Sequence, residues 1–112
     1  MSTLPPLQAL ARAAALLAGH GFRVVARNER GDSLYLAQDG SPWRLRLSNH
    51  ARTPKQRRGH PEVLASLVVR APRTHAQVAA LVEAALRDYA GGLRRVAAQA
   101  SGVDAASSAS RK

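Results

Sequence analysis

The residues best suited to chemistry lie between Ser41 and His60, SPWRLRLSNHARTPKQRRGH. Arg44, Arg46, Arg52, Lys55, Arg57 and Arg58 fall in this stretch with His50 and His60, and no acid accompanies them. Guanidinium and ammonium groups at this density suit phosphate, which arginine grips through paired N–H donors and lysine attracts as a point charge. The first half alternates, with Trp43, Leu45 and Leu47 at one parity and Arg44, Arg46, Ser48 and His50 at the other. Alternation at period two is a half-buried strand. A strand that turns arginines to water and runs into a cationic loop is a phosphate-facing surface. Histidine exchanges a proton near neutral pH. His50, beside arginines able to hold a phosphate, is therefore the one candidate acid or base, set against its plain reading as a surface residue.

Other chemistries find little support. The chain has no cysteine, which excludes disulfides and thiol nucleophiles and fits a cytoplasmic address. His50, His60 and Glu62 match no closed zinc spacing, so no metal site is expected. Asp32, Asp39, Glu83 and Asp88 show no paired-carboxylate spacing, and there is no glycine-rich phosphate loop or serine elbow. No cofactor is implied. The net charge of +10, from 17 Lys and Arg against 7 Asp and Glu, favours an anionic partner: RNA, DNA or an acidic protein. A membrane partner is not expected, because neither expected helix joins a basic face to a strong apolar one, and the first residues read as a helix rather than a signal peptide.

The elements that position these residues follow from pattern and turn chemistry. A first helix is expected from about Pro6 to Ala18, capped by Ser2 or Thr3, with Leu7, Leu10, Ala14 and Leu17 as its apolar stripe and Gly19 at positive φ after it. Strands follow over Phe22–Asn28, Ser33–Gln38 and Trp43–His50. A two-residue Asp39-Gly40 turn pairs Leu36 with Trp43, Tyr35 with Arg44, Leu34 with Leu45 and Ser33 with Arg46. A Glu29-Arg30-Gly31 loop pairs Val24 with Leu36, Val25 with Tyr35 and Ala26 with Leu34. This places Arg23, Arg27, Tyr35, Arg44, Arg46, Ser48 and His50 on one open face. Trp43 goes to the core side, and Tyr35 is positioned to stack a base or to pack on Arg44. Ala51–His60 reads as a cationic loop, Pro61–Arg70 as a fourth strand, and Thr74 opens a second helix with the Thr-x-x-Gln capping box, stopped by Gly91 and Gly92. The expected fold is an α+β two-layer sandwich, α-β-β-β-β-α, with an antiparallel sheet, both helices on one face and the other face open and basic. Residues 1–96 form one domain, and 97–112, rich in Ala and Ser, form a disordered tail.

From residue 17 to residue 50, Gly21-Phe22, Gly31-Asp32-Ser33, Tyr35, Asp39-Gly40 and Ser48-Asn49-His50 resemble the HicA-like mRNA interferase toxins of bacterial toxin–antitoxin pairs. The resemblance implies a fold like the double-stranded RNA-binding domain, α-β-β-β-α, an RNA substrate and an acidic antitoxin partner. It also implies a catalytic histidine in the Gly-Ser-His turn, a position held here by Ser33. A serine alone is no base for a 2′-hydroxyl, so little nuclease activity is expected.

The leading expectation is a small, non-catalytic or weakly catalytic nucleic-acid-binding module rather than an enzyme. Arg23, Arg27, Tyr35, Arg44, Arg46, Ser48, His50, Arg52, Lys55, Arg57 and Arg58 would contact RNA or DNA. The alternatives are a divergent HicA-like ribonuclease and a mobile-element inhibitor docking an acidic partner through the same charge.

Overall fold

The computed structural model describes residues 2–109, of which 101–109 are described as backbone alone. The elements run α1 (Pro6–Ala18), β1 (Phe22–Arg27), β2 (Ser33–Gln38), β3 (Arg44–Ser48), α2 (Pro54–Gly59), β4 (Val63–Val68) and α3 (His75–Ala109). The architecture is an α+β sandwich. One face of a four-stranded sheet, ordered β1-β2-β3-β4, packs on α1 and α3. Ala9, Leu10, Ala13 and Leu17 of α1 meet Leu36, Leu45, Leu47 and Leu67 of the sheet and Val78, Val82, Ala85 and Tyr89 of α3. Phe22 and Tyr89 lie edge to face with centroids 5.0 Å apart, and the Tyr89 hydroxyl donates to the Trp43 carbonyl at 3.1 Å. Trp43 packs against the core, as its parity required.

The sheet is mixed rather than wholly antiparallel: β3 and β4 run parallel. A parallel pair cannot be closed by a tight turn and needs a crossover of a dozen or so residues. Residues 49–62 supply it. α1 and α3 fill the inner face, and the crossover brings Arg52, Gln56 and His60 against Tyr35 and Arg46 on the outer one. The basic face is therefore partly roofed, not open. The cationic loop expected at 51–60 contains α2, opened by a capping box in which Gln56 N–H donates to Thr53 Oγ1 at 3.1 Å and Thr53 N–H to Gln56 Oε1 at 2.9 Å.

Both hairpin registers differ in detail from the sequence expectation. Between β2 and β3 the partners are Leu36–Leu45, Tyr35–Arg46, Leu34–Leu47 and Ser33–Ser48, two residues from the expected register. The turn itself forms where expected, with Ser41 N–H donating to the Gln38 carbonyl and Gly40 at φ 76°. Pairing does not continue from it, because Pro42 has no N–H to give and the Trp43 N–H turns to Ser41 Oγ. A slip of two preserves the faces, so the inner set survives. Between β1 and β2 the register holds at Val24–Leu36 and then shifts by one, so that Ala26 opposes Tyr35 and Arg27 opposes Leu34. This bulge at Val25 takes Arg27 off the cationic face.

The helices bring further corrections. No side chain caps α1: Pro5 stands at its N-cap and neither Ser2 nor Thr3 serves. Its buried stripe is Ala9, Leu10, Ala13 and Leu17, while Leu7 is 61% exposed. The positive φ falls on Gly21 (85°), not on Gly19, which stays helical at −65°. The box at Thr74 and Gln77 forms as read, but Gly91 and Gly92 do not stop α3. Gly92 is where helix and sheet touch: a Cβ there would lie 2.9 Å from Leu64 Cβ. The glycine is a contact surface rather than a terminator. Beyond it the alanine-rich 97–109 segment continues the helix where a disordered tail was expected. Alanine is the strongest helix former, and extending a helix that already exists needs no new nucleus. Residues 110–112 of the expected tail lie outside the described residues.

Candidate nucleic-acid interface

Arg46 is the centre of the outer face. It sits on β3 between Tyr35 of β2 and Ser66 of β4, its cross-strand partners. The crossover above it leaves the side chain only 2% exposed. Its Nε and Nη1, and Nη1 of Arg52 beside it, are buried without a hydrogen-bond partner among the described residues. Burial first, and the Arg46 charge second, hold the Arg52 guanidinium below the usual arginine value. An unpaired buried donor is costly and a charged one more so. Two like charges side by side with unmet donors make an arrangement that an anion would complete.

Two recesses open on these guanidiniums. The larger, about 460 Å³, is lined by Arg46, Arg52 and Arg57 and by Arg87 and Arg95 of α3, with Asp88 the only acid among the described residues of its wall. The smaller, about 190 Å³, is lined by Arg46 and Arg52 with Tyr35, His50 and His60 and the polar end of the first hairpin. Ser33 and Ser48 are buried there, their hydroxyls 2.8 Å apart. Ser48 Oγ also meets His50 Nδ1 at 3.2 Å, and Asn49 Oδ1 lies 3.0 Å from the same nitrogen. Asn28 closes the hairpin, accepting from the Ser33 N–H and donating to the Asp32 carboxylate. That bond is the main reason the Asp32 carboxyl is held below its ordinary pKa, with the His50 and Arg30 charges adding to it.

Of the residues expected to form the site, Tyr35, Arg46, His50, Arg52 and Arg57 come together around these recesses. Ser48 lies beneath them, fully buried and bonded to its neighbours rather than turned to a ligand. Arg44 is half-buried at the start of β3, its N–H bonded to the Glu62 carbonyl. Arg23 is exposed at the β1 edge and ion-paired with Asp39 at 3.1 Å. Arg27 is turned away by the bulge, and Lys55 and Arg58 are exposed on α2 outside both recesses. His60 pairs with Glu62 at 3.3 Å while His50 faces Ser48 and Asn49, so no cluster of three ligating side chains forms among the described residues.

Arg87 and Arg95 were missed. The expectation placed the second helix wholly against the opposite face and ended it at Gly91. The signal was present: Arg87, Gly91 and Arg95 recur at i, i+4 and i+8, one stripe of a helix that does not stop. Comparison with protein-family models, curated proteins and solved structures finds no match to this chain. No described helix is long and apolar enough to cross a membrane.

Proposed function

We propose that the chain is a nucleic-acid-binding module that takes RNA or DNA by its phosphates along the roofed outer face of the sheet. The observation that carries this reading is the pair Arg46 and Arg52, which hold buried donors without a partner among the described residues and which line an arginine-rich cleft. A chain keeps such groups against their desolvation penalty when something else completes them. Arg57, Arg87 and Arg95 at the cleft walls extend the positive field beyond one phosphate. Tyr35, half-buried beside them, offers a ring on which a base can stack.

The test is binding to single- and double-stranded RNA and DNA as salt is raised. Each neutralised phosphate releases counterions, so log affinity falls linearly with log salt, by about 0.9 per contact on duplex DNA and about 0.7 on single strands. Arg57→Ala reduces that slope by about one contact. Absence of binding to all four between about 50 and 150 mM salt sinks the reading and leaves an acidic protein as the partner for the same arginines. One observation favours a second reading, a ribonuclease of the HicA-like kind: His50 and His60 line one recess with Arg46 and Arg52. Cleavage of RNA by the purified chain, lost in His50→Ala, would promote it.

A further inference from the structure

The geometry points to the larger cleft as a seat for a terminal phosphomonoester, the 5′- or 3′-phosphate of a nucleic-acid end, with Arg46 and Arg52 as its floor. This rests on the nucleic-acid reading and narrows it. The reason is depth. The unpartnered donors of Arg46 belong to a side chain that is 2% exposed and yet lines the recess, so it lies within the wall rather than on a ridge. An internal phosphodiester is flanked by sugar on both sides and meets a protein along an open groove. To bring its oxygens into hydrogen-bond range of a buried guanidinium, a strand must be free on one side, as it is only at an end. The recess, about 460 Å³, is of a size that holds a small organic ligand such as one terminal nucleotide.

Charge favours the same ligand. A phosphomonoester carries between about −1.5 and −2 near neutral pH, with three strong acceptor oxygens, whereas a diester carries a single charge. Arg46 and Arg52 are two planar forks with three nitrogens that lack a partner among the described residues, and Arg87 and Arg95 line the same cleft. Ser66, opposite Arg46 on β4 and lining the same recess, adds a hydroxyl. Burial and the neighbouring Arg46 charge depress the Arg52 pKa, and a dianion between the two would relieve this.

One oligonucleotide sequence, prepared with a 5′-phosphate, with a 3′-phosphate or with hydroxyls at both ends, tests the inference by fluorescence anisotropy at fixed salt. One phosphorylated end binds about tenfold more tightly than the hydroxyl-ended strand, the scale of charge-assisted hydrogen bonds gained at one group. Which end does so identifies the source of the phosphate. Arg52→Ala and Arg46→Met abolish the preference, and Arg12→Ala on the exposed side of α1 leaves it intact. A measurement on the unaltered chain guards against misfolded variants: inorganic phosphate, with ionic strength matched by chloride, erases the end preference while the hydroxyl-ended strand stays bound. Equal binding of all three strands overturns the seat and leaves the nucleic-acid reading standing. Binding of none overturns both.

Discussion

Replacing Arg46 by methionine should make this protein more stable and less able to bind. Arg46 is 2% exposed, and two of its guanidinium nitrogens have no partner. Each buried donor left unmet costs about 1–3 kcal/mol, more when charged. Methionine keeps much of the length of the aliphatic stem between the cross-strand partners Tyr35 and Ser66, so little of the burial is lost, and it removes the charge. Exchanges of buried ionic groups for apolar ones of similar volume are neutral or stabilising by about 1–4 kcal/mol. Taking about 2 kcal/mol, and about 4–8 °C per kcal/mol for a domain of roughly this size, Tm should rise by about 8–16 °C. The assay is thermal denaturation followed by circular dichroism in a phosphate-free buffer. A second scan adds inorganic phosphate at matched ionic strength. The wild-type chain should gain stability as the anion fills the site, by about 2.7 kcal/mol at a concentration one hundred times its Kd, and the variant should gain none. A variant that melts below the wild type in phosphate-free buffer would refute the reasoning. The guanidinium would then be holding the sheet and crossover together rather than waiting for a ligand.

Three further outcomes follow from the geometry. Gly91→Ala and Gly92→Ala should diverge although they are neighbours in one helix: the first meets only flexible arginine ends at 3.6 Å or more and gains about 0.5–1 kcal/mol of helix propensity. The second drives a Cβ to 2.9 Å from Leu64 and should fall about 1–3 kcal/mol below the first; equal stabilities in urea titrations would contradict the contact. Gly31→Val, at φ 74° in the first hairpin, should destabilise by about 1 kcal/mol or more in the same titrations, and a neutral result would mean that the turn tolerates a side chain. Asp32 has its folded pKa lowered from 3.8, so the support its carboxylate gives the hairpin is complete above that value and is lost as pH falls through the depressed one. An NMR titration should therefore find the Asp32 carboxyl protonating below 3.8 in the wild type and moving back towards it in Asn28→Ala.

Much of the site was legible in residue types. Arg46, Arg52 and Arg57 were singled out by charge density, and Tyr35 and His50 by parity, because a strand's period of two assigns a face without knowledge of its partner. The two-residue change of register did not disturb those assignments, since an even slip leaves every side chain on its own side. The one-residue bulge at Val25 did, and it displaced Arg27. The i, i+4, i+8 stripe of Arg87, Gly91 and Arg95 was equally readable, but two adjacent glycines suggest a helix end. Only the approach of Leu64 shows why Gly92 lies inside one.

The sequence by itself determined most of the inner half of this protein: which residues of β2 and β3 face the core, where α1 lies and where α3 begins. These follow from periodicity, capping and turn chemistry, all carried by neighbours within a few residues. Only the tertiary structure decided the outer half. Whether β4 joins β3 parallel or antiparallel is not written in either strand's alternation, yet the parallel choice sends residues 49–62 across the outer face. That crossover converts Arg46 from a surface arginine among many into a buried cation with unmet donors. Burial is a property of what packs above a residue, and here the cover is the segment that follows β3, whose path back over the sheet is set by the parallel pairing with β4 rather than by local pattern.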